Sequence, residues 1–129
     1  MTSDKKDLGN RGEKIAYNFL RREGFRILEN NYQKLIGEID IIAERKKCIH
    51  FVEVKARTIE SCEKYGLPQD AVTHNKQKKI IKTALFYLLE NKYSDDANWQ
   101  IDVIAIIIDE KRGKAKITFI ENAVENKRY

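Results

Sequence analysis

Apolar and polar positions along this chain repeat with two different periods, and each change of period marks a new element. From Leu8 to Glu23 the apolar side chains Leu8, Ile15, Ala16, Phe19 and Leu20 recur at helical spacing, and Gly24 supplies a C-terminal stop. Residues 1–7 are polar and read as a flexible lead-in. Phe25 to Glu29 reads as a short strand closed by a turn at Asn30-Asn31. Two β-branched runs follow, Leu35 to Ala43 and Cys48 to Arg57, separated by the charged break Glu44 to Lys47, which predicts a hairpin. Thr58 to Gln69 has no periodicity and holds the only proline, Pro68, so it reads as a loop of about a dozen residues. Helical spacing returns over Ala71 to Asn91, with Thr73 as N-cap and Ile80, Ile81, Ala84, Leu85, Tyr87 and Leu88 on one face. Trp99 to Ile108 is almost continuously apolar and suits a strand covered on both sides. Asp109 to Gly113 turns the chain, Lys114 to Ile120 forms a last strand, and residues 121–129 read as a flexible polar tail. Helix, strand, hairpin, helix, strand, strand is the order of an α/β layer structure with a mixed sheet between helices.

Composition narrows the class. The 129 residues suffice for a single domain with one core, and a charged fraction of 35% describes a globular chain with a heavily charged surface. No run approaches the roughly 18 apolar residues of a membrane span, and the polar N-terminus lacks the apolar segment of a signal peptide, so a cytoplasmic location is expected. Cys48 and Cys62 form neither a metal-type spacing nor a disulfide framework. A net charge of +5 favours a polyanionic partner, and its distribution says more. Lys76, Lys78, Lys79 and Lys82 crowd the start of the second long helix, and Lys111, Arg112, Lys114 and Lys116 crowd a late turn.

The predicted hairpin carries acids in mid-strand, where charge is poorly tolerated. Residues two apart in a strand share a face, so Glu53 and Lys55 point one way, as do Glu38 and Asp40, and pairing of the strands lets Asp40, Glu53 and Lys55 converge. Carboxylates are the hard ligands that Mg²⁺ or Mn²⁺ prefers; Asp40 and Glu53 are candidate metal ligands, with the Val54 carbonyl as a third oxygen. Lys55 is placed to orient an attacking water or to stabilise charge on a phosphate. The alternative is a surface ion pair in Glu53-x-Lys55 and a solvated Asp40. Glu13, on the edge of the first helix's apolar stripe, reads equally as a solvated acid favoured by the helix dipole. Gln77 falls in line with Ile81, Ala84 and Leu88 one turn into its helix, with Lys76 nearby. His50 and His74 have no partners that suggest a triad or a zinc site. Tyr17, Tyr32, Tyr65 and Trp99 offer rings for base stacking, with core or rim packing as the alternative.

Gly37-Glu38-Ile39-Asp40-Ile41-Ile42, followed about ten residues on by Phe51-Val52-Glu53-Val54-Lys55-Ala56-Arg57, resembles the PD-(D/E)XK pattern of the restriction-endonuclease-like superfamily. More narrowly it resembles the small endonuclease-like bacterial family known as YraN, related to archaeal Holliday junction resolvases. Gly9-x-x-Gly12-Glu13 with Ala16 resembles that family's first helix, Lys76-Gln77 the start of its second, and Ile101-Asp102-Val103 its late core strand. The resemblance implies a restriction-endonuclease-like mixed β-sheet flanked by helices and a catalytic set of Glu13, Asp40, Glu53, Lys55 and Gln77. It places the metal at Asp40 and Glu53, with Glu13 closing the site from the first helix, through water, and with Glu38 as an outer candidate. Gln100 departs from the pattern, standing where many relatives carry a basic residue.

The expected activity is Mg²⁺- or Mn²⁺-dependent hydrolysis of DNA, branched or otherwise structured, with Arg57, Lys76, Lys78 and Lys79 as nucleic-acid contacts and a homodimer as the expected assembly. The rivals are a nucleic-acid-binding module without cleavage and a protein-interaction module that keeps the fold.

Overall fold

A computed structural model of the chain describes residues 2–124, with side chains from residue 5 onward. Its five strands are β1 (Arg26–Lys34), β2 (Gly37–Arg45), β3 (Cys48–Thr58), β4 (Asn98–Asp109) and β5 (Lys114–Ile120). They form one sheet in the order β1-β2-β3-β4-β5. Neighbours run antiparallel except β3 and β4, which are parallel. Parallel strands need a long crossover, and this one carries α2 (Ile59–Tyr65), a 3-10 turn (Pro68–Ala71) and α3 (His74–Glu90). α1 (Thr2–Arg22) packs on one face of the sheet and α3 on the other. This is the mixed-sheet α/β architecture that the apolar pattern predicts.

Two cores result. On the α1 side lie Ala16, Leu20, Ile41, Val52, Ile104 and Ile106; on the α3 side lie Ile39, Ile42, Phe51, Ile81, Ala84 and Ile101. β4 feeds both, which is why its sequence is apolar without alternation. Each such side chain contributes about 1.5–3 kcal/mol by leaving water. Among the described residues no helix is long and apolar enough to cross a membrane.

Caps set the helix ends. Phe25 N–H donates to the Leu20 carbonyl and Gly24 N–H to that of Arg21, with Gly24 at φ 89°, a Schellman closure that only a residue free of a Cβ adopts cheaply. Phe25 and Leu20 then pack in one core. Thr73 caps α3 as predicted, its hydroxyl accepting from Lys76 N–H at 3.3 Å.

Several expectations are corrected. α1 begins at Thr2, so residues 2–7 belong to the helix and not to a flexible lead-in; Met1 lies outside the described residues. The polar tail is anchored as far as it is described. Ala123 N–H donates to the Ile101 carbonyl at 2.7 Å and Val124 is buried, while residues 125–129 lie outside the described part. β1 runs through Asn30-Asn31 to a turn at Leu35-Ile36. The β2–β3 turn is only Lys46-Lys47, with φ of 51° and 62°, as a two-residue hairpin turn that follows strand twist demands. Glu44 and Arg45 therefore remain in the ladder, opposite Ile49 and Cys48. The presumed loop after Thr58 contains α2, whose N-terminus the Thr58 hydroxyl caps at Ser61 N–H. On α3, Leu85 is exposed although it was expected on the apolar face, and Thr83 is buried.

α1 crosses β3 at Gly12. A methyl group there would stand 2.7 Å from the Ala56 Cβ, and both atoms are fixed to backbone. Gly12→Ala should therefore lower stability by about 1–3 kcal/mol, read as a reduced urea midpoint at constant slope. Ala56→Gly added to it should recover part of the loss.

Candidate functional site

The site begins where two strands part. β2 and β3 pair from Arg45↔Cys48 to Ile41↔Val52 and no further. Beyond Val52, β3 loses its neighbour on that side, and burial falls from complete to intermediate at Glu53. β1 and β2 are irregular too: their register shifts between Ile27 and Glu29. Between the pairs Asn30↔Ile41 and Tyr32↔Ile39, Asn31 and Asp40 drop out of the ladder, and Asn31 takes φ 51°. Side-chain alternation slips there: Ile39 packs under α3 and Ile41 under α1. The kink directs Asp40 into the fork, where its Oδ2 accepts Val54 N–H at 2.8 Å. A side-chain carboxyl thus takes the place of the missing backbone acceptor.

Glu53 and Lys55, two apart on β3, share the α3 side, with Lys55 Nζ 3.9 Å from Glu53 Oε2 and side-chain exposures of 15% for Glu53 and 29% for Lys55. They border a cleft of about 640 Å³ whose walls include Lys34, Glu38, Lys76 and Lys79. Burial and the adjacent Asp40 push the Glu53 carboxyl up to about 9, outweighing the pull of Lys55. Glu38 adds to that push, and Gln33 Nε2 donates to its Oε2 at 3.3 Å. Glu13 comes from α1, held near the fork by the close approach at Gly12. Its carboxyl is also raised, first by burial and then by Asp40 and Glu38. Asp40 is the common neighbour: it acts on Glu53 and on Glu13. In the cation-free protein the Glu53 carboxyl is therefore held toward its neutral form, as an acid beside another carboxylate is when no cation lies between them.

The fit to a hard divalent ion can be judged from this set. All the donors are oxygens, two of them are pressed together against their charge, and Mg²⁺ takes one or two carboxylates while keeping its waters. Among the described residues no group of three or more His, Cys, Asp or Glu side chains stands arranged as a complete metal cage. An ion at the fork would have only Asp40 and Glu53 as close carboxylates and would keep most of its waters.

Residues 12–106, the span that holds Glu13, the fork and the start of α3, match the model of the uncharacterised protein family UPF0102. The chain belongs to the UPF0102 family. A UPF0102 protein of Clostridium acetobutylicum is 40% identical over 120 residues, which cover 93% of this chain and 95% of that relative. One from Clostridium botulinum (strain Loch Maree) is 38% identical over the same shares. This is the YraN-like family that the GEID and FVEVK motifs resemble.

Other residues singled out in this UPF0102 chain have contacts of their own. Gln77 Nε2 donates to the Val72 carbonyl at 3.2 Å, so its amide braces the start of α3. Arg57 Nη1 donates to the carbonyls of Tyr65 and Gly66, both at 2.7 Å. Lys78 is exposed and, unlike Lys76 and Lys79, does not line the cleft. Val54 turns its side chain toward the α1 core. Gln100 Nε2 donates to Asp102 Oδ1 at 2.8 Å, satisfying an acid that a basic residue would otherwise pair with. His50 has a partner after all: its Nδ1 lies 2.5 Å from Asp102 Oδ2, both buried, and Phe25 packs edge-on against the ring. Sealed from solvent, this pair is a structural one. Lys34 and Gln33 line the cleft unforeseen, because the sequence had placed the β1 turn ahead of them.

Proposed function

We propose that this UPF0102 protein is a divalent-cation-dependent endonuclease that hydrolyses phosphodiester bonds in DNA. One observation carries the reading: the half-buried Glu53 carboxyl lies against Asp40 beside the Lys55 ammonium, at the edge of a cleft walled by lysines. Acids arranged this way repel phosphate unless a cation joins them. Asp40 and Glu53 would hold Mg²⁺ or Mn²⁺, with Glu13 reaching it through water. Bound there, the ion supplies Lewis acidity toward the phosphoryl oxygen and a water of lowered pKa. Lys55 stabilises charge as it develops on the phosphate, and Lys34, Lys76 and Lys79 hold flanking phosphates. The β4–β5 turn, with Lys111 and Arg112, lies at the end of the sheet where β3 reaches Thr58, and extends the basic surface.

A second reading, a nucleic-acid-binding module without cleavage, is favoured by the lack of a complete cage among the described residues. Nicking of branched, single-stranded and linear DNA with Mg²⁺, Mn²⁺ or chelator separates the two. Asp40→Asn keeps an oxygen for Val54 N–H yet loses a ligand charge, and Lys55→Ala removes the ammonium. Each should reduce cleavage roughly 100-fold or more with binding retained. Binding without cleavage under either ion selects the second reading.

A further inference from the structure

We infer that the cleft beneath α3 continues across the fork into a groove beneath α1, forming one track for a nucleic-acid strand with Tyr65 as a stacking platform for an unpaired base. The inference rests on the reading above and adds a substrate class: DNA that presents unpaired bases, as a single strand or as the open arm of a branched molecule.

Lys55 supplies the continuity. It lines the α3-side cleft and also a second cavity, of about 680 Å³, whose walls include Lys5, Gly9, Arg57, Ser61 and Tyr65. The track thus has lysines at either end, Lys34, Lys76 and Lys79 on one side of the acids and Lys5 on the other. Such a layout positions a backbone across the fork from both directions. Lys5 reaches this groove because α1 begins at Thr2.

Tyr65 ends the groove. Of the four aromatic residues the sequence offers for stacking, Tyr32 is buried, Trp99 packs edge-on against Phe51 and Tyr17 packs against the α1-side core. Tyr65 is 67% exposed. Its backbone is not loose: α2 has only seven residues, too few to persist by helix propensity, and the Arg57 guanidinium grips the Tyr65 and Gly66 carbonyls. Arg57 is then a positioning residue for the ring, and not a free phosphate clamp. Lys64 Nζ stands 5.8 Å from the ring centroid, a cation beside the ring. A ring at such a place can stack only on a base that has left its pair, since duplex bases face inward.

The test is affinity, measured in chelator so that cleavage plays no part, for a single-stranded oligonucleotide, the same sequence as a blunt duplex, and an abasic strand of equal length. Tyr65→Ala should weaken single-strand binding roughly 5- to 100-fold, Tyr65→Phe should leave it unchanged, and neither should alter blunt-duplex binding. On the abasic strand the alanine variant should match the parent, because no base remains to stack. An equal loss on duplex or abasic DNA, or no loss on the single strand, overturns the platform. If the tyrosine effect holds while Mg²⁺ and Mn²⁺ promote no cleavage, the track stands and the endonuclease reading falls. If duplex is cleaved with no tyrosine effect, the reverse holds.

Discussion

Glu53→Gln should make the cation-free protein more stable at pH 8 while removing the cation-dependent cleavage proposed for it. The Glu53 carboxyl is raised to about 9 in the fold, by burial and then by Asp40, whereas an unfolded glutamate titrates near 4.3. Between those values the native state binds one more proton than the unfolded chain, so stability falls as pH rises. Below the unfolded value both states are neutral and there is no penalty; above about 9 both are charged and the penalty is complete. Glutamine is isosteric, stays neutral, and can donate to Asp40 where the protonated acid did. The gain at pH 8 is on the order of 2–4 kcal/mol, or roughly 6–15 °C in midpoint. It should be near zero at pH 4. The charged neighbours are Asp40 and Glu38 on β2, Lys55 on β3, Glu13 on α1, and Lys76 and Lys79 on α3. Glu13, raised for the same reasons, adds a smaller slope of the same sign. Thermal melts of both proteins in chelator across pH 4 to 9 would measure the difference, and parallel curves at all pH values would refute the proposed Asp40–Glu53 proton. A cation bound at the proposed site would have to displace that proton, so its apparent affinity for the parent should rise with pH across the same window.

What the sequence revealed and what it hid divide along physical lines. The core of β4 was legible because a continuous apolar run bounded by turn residues has few alternative structures, β5 because the Asp109 to Gly113 turn sets its start, and the α3 start because Thr73 satisfies an orphan N–H in only one place. The shared face of Glu53 and Lys55 follows from strand geometry alone. Asp40 does not obey that geometry. Its aim depends on a paired kink with Asn31, a residue on another strand, and the sequence had spent Asn30-Asn31 on a turn. Asparagine tolerates a left-handed φ in either setting, so composition cannot separate kink from turn. Leu35 was read into a strand for being apolar, yet it is fully exposed at the turn. α2 was hidden because seven residues show no period, and its hold comes from Arg57, a tertiary contact. Gln77 and Arg57 have long side chains whose nearest partners are local carbonyls, and nothing in residue spacing reveals that choice.

Asp102→Ala should cost about 3–5 kcal/mol of stability, although Asp102 touches none of the fork acids. The residue lies in the apolar run of β4 with no solvent exposure. Its Oδ2 meets His50 Nδ1 at 2.5 Å, and its Oδ1 accepts from Gln100 Nε2 and from the backbone N–H of Asn122, each at 2.8 Å. Every buried polar side-chain atom described here has a partner, so truncation strands the buried His50 nitrogen, worth about 1–3 kcal/mol, and takes the acceptor from two part-buried donors, Gln100 Nε2 and Asn122 N–H. The contact to Asn122 also ties the end of β5 to the core, beside the Ala123–Ile101 hydrogen bond and the burial of Val124. Asp102→Asn keeps the shape and at least one acceptor, so it should cost less, about 1–3 kcal/mol. Since a domain of this size holds about 5–15 kcal/mol in total, the alanine variant would sit near its unfolding threshold. Urea titrations of Asp102→Ala, His50→Ala and the double variant would test this, with the double costing well under the sum of the singles because the two share one contact. Additive losses would mean that His50 and Asp102 act independently, and that the acid in this strand serves some end other than closing the buried network.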